Sequence, residues 1–213
     1  MAATASFPAR KPARLDAGTI LWLLVLFCAV TLYPPGDVIE TIRHLRVPDT
    51  DDAMRLVEAR DLAAGQGWYD NVQYRFLPPG GVPSHWSRLL DAPLAGLLLV
   101  LTPLLGSGLA EGIVAAFWPP LLFVVYAAVL WTGVRTTFGK RAAVLALLAA
   151  TQTFGVTVQF AAGRIDHHNL QMIAILGMAI GLIRGGGRAG AEPGRQDEEQ
   201  AGQRRVEQAR PVA

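Results

Sequence analysis

Charged residues are absent from four stretches of the chain, 17–36, 112–134, 142–163 and 167–183, which run for 20, 23, 22 and 17 residues of mostly apolar side chains. A helix needs about 20 apolar residues to cross roughly 30 Å of hydrocarbon, so the first three stretches predict membrane spans. The fourth opens on His167, His168, Asn169 and Gln171, and its apolar part, 170–183, predicts a shorter fourth span. A fifth apolar run, 92–105, carries Pro93 and Pro103. At about 14 residues, a run of this kind predicts a short interfacial or re-entrant helix rather than a crossing.

The basic residues orient these spans. Arg10, Lys11 and Arg14 place the N-terminal tail, 1–16, in the cytoplasm by the positive-inside rule. With four crossings, the Arg135, Lys140 and Arg141 cluster returns to the cytoplasm, as do Arg184 and Arg188. Counting 92–105 as a crossing would strand the middle cluster outside. The expected fold is therefore an all-α membrane protein with about four transmembrane helices and a large external loop, 37–111. A second, short external motif follows at 164–169, and the tail 184–213 is expected to be cytoplasmic. The N-terminal segment has the basic-then-apolar order of a signal peptide. Tyr33-Pro34-Pro35 stands where small residues should precede cleavage, which favours a retained anchor.

Composition agrees and removes other classes. The chain is 52% hydrophobic and 17% charged, against about 25% charged in soluble domains. A single cysteine, Cys28, excludes an intramolecular disulfide and any multi-cysteine metal site. A formal net charge of +2 gives no basic excess for nucleic acid. The Gly, Ala, Gln, Glu and Arg-rich tail lacks any run that could pack, which predicts disorder.

Two polar segments carry the candidate chemistry. Residues 50–65 read as a short amphipathic helix, with Thr50 or Asp51 as its cap and Gly65 as its end. Trp68, Tyr69 and Tyr74 then suit the headgroup boundary of a membrane surface. The second segment, Gly163-Arg164-Ile165-Asp166-His167-His168-Asn169, lies between two spans, where ionisable groups must pair, ligate or reach water. Four crossings put Asp51, Asp52, Asp166, His167 and His168 on one face, as a set that can share a divalent cation, Mg²⁺ or Mn²⁺. Helix capping by Asp51, Asp52 and Asp166, with interfacial roles for the histidines, accounts for the same residues equally well.

Asp51 followed by Arg60-Asp61-Leu62-Ala63-Ala64-Gly65, and Gly163-Arg164-Ile165-Asp166-His167-His168 after it, together resemble the membrane glycosyltransferases of the C type. The nearest likeness is to the catalytic subunit of oligosaccharyltransferase and its single-subunit relatives, over roughly residues 17–183. The resemblance implies transfer of a sugar from a polyprenyl-phosphate or polyprenyl-diphosphate donor in the plasma membrane, the inner membrane of a bacterium. It implies Asp51 and Asp166 as catalytic metal ligands, His168 next, then His167 and Asp52. Arg75, His85 and Arg88 become candidates for holding donor phosphate. Such enzymes carry many more spans, a later catalytic acid and a soluble domain, so the chain reads as a truncated member lacking transferase activity alone. The other expectation is a non-enzymatic membrane protein that works through a partner membrane protein.

Overall fold

The computed structural model describes residues 27–186. The N-terminal tail, residues 17–26 of the first expected span, and the tail beyond residue 186 lie outside the described residues. Residues 27–32 are helical. Next come α1 (Pro35–His44), α2 (Thr50–Ala63), β1 (Val72–Gln73), β2 (Val82–Pro83), α3 (Arg88–Leu105), α4 (Ser107–Phe138), α5 (Lys140–Gln152), α6 (Phe154–Gln159) and α7 (His168–Gly186). The protein is mostly helical, and α3, α4 and α7 are long and apolar enough to cross a membrane. The two strands form one antiparallel hairpin, Val72 opposite Pro83 and Gln73 opposite Val82.

Two of the apolar runs, 92–105, expected as a short interfacial or re-entrant helix, and 142–163, expected as a span, differ in form. The run 92–105 is part of an 18-residue helix, because the polar turn before it joins in. Ser87 caps α3 by accepting from the Leu89 N–H, and Asp91 pairs with Arg55 of α2 and with Arg88, so neither charge is left as a barrier. Pro93 and Pro103 lie within the helix without stopping it. The run 142–163 is instead interrupted at Thr153, which is extended (φ −82°, ψ 122°) between α5 and α6. There the Thr151 and Thr153 hydroxyls donate to the carbonyls of Leu148 and Ala149 at 2.9 and 2.8 Å, competing with the helical ladder. α7 continues past residue 183, so residues 184–186, expected in the tail, are helical.

α4 is the spine. Its first turns are built from small residues, and Ala110, Gly112, Ala115 and Ala116 are buried, which lets other backbones approach. Farther along, Leu122, Tyr126, Leu130 and Gly133 recur at helical spacing as a buried stripe. Phe160, fully buried, packs against Phe123 and Tyr126 with ring centroids 5.5 and 5.2 Å away. Single residues, Gly106 and Gly139, make the corners into α4 and out of it.

Contacts along α4 fix the direction of the later elements. The Gly163 N–H donates to the Ala115 carbonyl at 3.0 Å, and Ile180 of α7 lies against Gly133. The chain leaving α4 at Gly139 therefore returns to the level of Ala115, about 36 Å at 1.5 Å per residue, before α7 runs back alongside α4. Acidic residues 49, 52 and 166 gather at one end of this layout, and Arg135, Lys140, Arg141 and Arg184 at the other.

At the spine's start, Gly112 has no room for a side chain: an added Cβ would lie 2.2 Å from the Ile42 carbonyl oxygen of α1. Gly112→Ala is expected to cost about 1–3 kcal/mol by forcing α1 outward. Gly108→Ala, where nothing lies within 4 Å, should be neutral or slightly stabilising through helix propensity. Melting temperatures of the two variants in detergent check the difference.

Candidate metal centre

The buried face of α2 carries Asp52, Arg55, Leu56 and Ala59, the i, i+3, i+4, i+7 spacing of one helical face. Asp51 lies one position off that face and is only half-buried. The helix is capped by Asp49, whose Oδ1 accepts from the N–H groups of Asp51 and Asp52 at 2.9 and 3.2 Å. The cap is thus one residue earlier than Thr50 and two earlier than Asp51. With Asp49 on the cap and Asp52 three positions later, both carboxyls face the same neighbour.

That neighbour is the loop between α6 and α7. Gly163, at φ +88°, passes so close to α1 and its exit that an added Cβ would lie 2.8 Å from the Arg46 carbonyl oxygen. The turn points two N–H groups at α2, and Asp52 Oδ1 accepts from Ile165 and Asp166 at 2.8 and 3.1 Å. Asp166 Oδ1 in turn accepts from the His168 N–H at 2.9 Å. Asp49, Asp52 and Asp166 each bring a carboxylate oxygen within 4.8 Å of the others, although the chain separates Asp166 from the other two by more than 110 residues.

Arg164 sits among them. Its Nη1 donates to Asp49 Oδ2 and, at 3.1 Å, to Asp52 Oδ2. Its Nη2 donates to Asp166 Oδ2 at 3.4 Å and Gln159 Oε1 at 3.1 Å. Three carboxylates share one guanidinium, and the imbalance falls on Asp52. Its burial pushes the carboxyl up to about 7 from 3.8; Arg164 opposes this, and the Asp166 and Asp49 charges add to it. Burial acts in the same sense on Asp49, but the hydrogen bond and charge of Arg164 outweigh it and hold that carboxyl low. Hard oxygen donors with an excess of negative charge fit Mg²⁺ or Mn²⁺.

Asp49 and Arg164 are the members not singled out from the sequence. The signal for Asp49 was its place three residues before Asp52. Of the residues that were, Asp52 and Asp166 are in the centre and Asp51 is outside the triad. His168 stands beside it, Nε2 3.8 Å from Asp166 Oδ2. The His167 ring lies between His168 and Trp86, centroids 4.4 and 5.9 Å away and planes tilted by 41° and 55°. Burial, with the neighbouring His168, lowers the tendency of His167 to protonate.

The three residues considered for phosphate do not converge. Arg75 is exposed and paired with Asp61 at 2.9 Å, and His85 is exposed beside Trp86. Arg88 is buried and spends its donors on the Glu58 carbonyl, Gln66 Oε1 and the Asp70 carbonyl. It belongs with Arg55, Glu58 and Asp91, a second and charge-balanced buried network. The Arg55 guanidinium also lies 4.5 Å from the Trp86 ring.

A groove of about 300 Å³ opens beside the triad between α6 and α7. Gln159, His168 and Gln171 line it together with Phe154, Val158 and Met172. Comparison with protein-family models, curated proteins and solved structures finds no match for this chain.

The raised Asp52 carboxyl has a sign that can be checked. Protonation is favoured in the folded state, so this contribution is fully present below about pH 4 and is lost as pH rises to about 7. In chelator-treated buffer the wild type should lose stability relative to Asp52→Asn over that range, by on the order of 1 kcal/mol per pH unit. The difference should level off above about pH 7. Melting curves of both proteins from pH 4 to 8 measure it, and their difference cancels the opposite slope from His167.

Proposed function

We propose that this protein is a divalent-cation-dependent membrane glycosyltransferase of the C type, or the N-terminal part of one, acting on a polyprenyl-phosphate-linked or polyprenyl-diphosphate-linked sugar. The observation that carries this reading is the meeting of Asp49, Asp52 and Asp166, from two distant segments, at one end of the apolar helices. In this reading Asp49 takes the place expected for Asp51. The three carboxylates would hold Mg²⁺ or Mn²⁺, and a cation there offsets negative charge on a departing phosphate. The groove beside them supports a lipid-linked donor. Its polar lining of Gln159, His168 and Gln171 and its apolar lining of Phe154, Val158 and Met172 suit a phosphate carried on a hydrocarbon chain.

Four crossings remain the topology we favour, the third being α5 and α6 together. The return of about 36 Å from Gly139 to Gly163 exceeds the hydrocarbon thickness. α3 then lies along the interface, for two reasons. Arg88 and Asp91 at its start meet Arg55 and Glu58 of α2, and Glu111, just past its end, takes Arg60 of α2 at 2.5 and 2.6 Å. The basic end of α4 faces the cytoplasm. In a Cys28→Ser background, cysteines introduced at Asp70 and Lys140 should label from opposite sides of sealed vesicles. Labelling from one side removes this topology.

The second reading, a non-enzymatic subunit that needs a partner membrane helix, has its own support in α7. Gly177, Gly181 and Gly185 recur every four residues with nothing within 4 Å of an added Cβ, a spacing that suits close packing of helices in lipid. Metal binding separates the two. Mn²⁺ titration of the purified protein, followed by electron paramagnetic resonance, should saturate. Asp49→Asn, Asp52→Asn and Asp166→Asn should each weaken binding more than about tenfold, since affinity follows the charge of the ligand set. Asp51→Asn should bind nearly as wild type. No saturable binding would favour the subunit reading.

A further inference from the structure

All six carboxylate oxygens of the triad already hold a hydrogen-bond donor, and they divide in a regular way. On each acid Oδ1 is pinned by backbone: Asp49 by the N–H groups of 51 and 52, Asp52 by those of 165 and 166, and Asp166 by that of 168. On each acid Oδ2 is taken by Arg164. The backbone contacts build the loop and cannot be released without undoing it. The three Oδ2 atoms are the ones free to change partner, and one side chain occupies all of them.

We infer that Arg164 is the resident counter-ion of this centre and that a divalent cation binds only by displacing it, so that Arg164 sets the affinity of the site. The inference rests on the metal reading above. Net charge alone would permit a cation beside Arg164, because three carboxylates exceed one guanidinium by two charges. Each Oδ2 keeps a second lone pair, but a cation ligated there would sit directly against the guanidinium that bonds the same three atoms, so the two like charges compete for one position. Arg164 has somewhere else to go. Its Nη2 already bonds Gln159 Oε1 on α6 at 3.1 Å, at the lip of the α6–α7 groove, and its Nε has no partner where it now sits.

The experiment is Mn²⁺ titration, by electron paramagnetic resonance, of the wild type, Arg164→Gln and Arg164→Lys in lipid nanodiscs, with melting temperature recorded with and without the ion. Arg164→Lys keeps the charge, but an ammonium is a compact point donor that lacks the fork needed to bridge three carboxylates. Displacement predicts that both variants melt lower than wild type without metal and that Mn²⁺ restores more of their stability. Both should bind Mn²⁺ more tightly than wild type, Arg164→Gln by at least about tenfold, the scale of one charge-assisted hydrogen bond lost from the competing state. If Arg164→Gln fails to fold without metal, Arg164→Lys carries the comparison. Tighter binding by Arg164→Gln with wild-type binding by Arg164→Lys means that only charge matters, and displacement is overturned. Wild-type affinity in both variants overturns it too and leaves the metal reading standing. Absence of binding in all three proteins overturns both.

Discussion

One oxygen of Asp52 accepts two consecutive backbone N–H groups, those of Ile165 and Asp166, and the arrangement of the polar end of the protein depends on it. A carboxylate buried in this way is tolerable only when its lone pairs are filled. The loop between α6 and α7 must therefore come down onto the first turn of α2. Gly163 lets it do so, passing over the exit of α1 where no side chain fits. Its N–H then closes onto Ala115, which ties the loop to the spine. The helices α5 and α6 are thereby constrained in length: they must leave from Gly139 and bring Asp166 back to the level of Ala115.

The two buried polar clusters on α2 obey different rules. Arg55, Arg88, Glu58 and Asp91 balance two against two, and they hold the polar start of α3 against α2. Such networks need not add stability over an apolar packing, but removing one partner from a buried pair costs about 3–5 kcal/mol, so they fix geometry strongly. The cluster around Asp52 is out of balance by two charges. Position also differs. The balanced set lies under the loop that carries Trp86, and the unbalanced one opens beside the groove between α6 and α7. Trp86 links them, with Arg55 near its ring and His167 beside it.

Much of the helical layout is legible from charge-free runs because hydrocarbon admits few charges. The run 112–134 is the middle of α4, and 170–183 is inside α7. Runs bounded by charge mislead where the protein supplies its own counter-ions. α3 begins at Arg88, four residues before the apolar run, since Arg55 neutralises Asp91. The break at Thr153 is marked only by the uncharged polar trio Thr151-Gln152-Thr153, which a pattern of missing charges passes over, while the threonine hydroxyls compete for backbone carbonyls. At the site, the two segments and their meeting are legible from topology, and Asp52 and Asp166 are in the triad. Choosing Asp51 over Asp52 ignores helical phase: Leu56 and Ala59 already fix the inward face, and Asp52, not Asp51, falls on it. Arg164 is not legible as a partner because nothing local tells a solvated arginine from one that reaches across to another segment.

The Asp52 contacts join residues 113 and 114 positions apart in the chain. A ribosome adding about 5–20 residues per second makes Asp52 roughly 6–23 s before Ile165 and Asp166 exist. Throughout that interval the acid has no loop to cover it and stays hydrated and ionised, while α3 and α4 are already being laid into place. Desolvation of Asp52 is therefore postponed until the loop before α7 has been made, and the polar end of the protein is sealed late, by that loop.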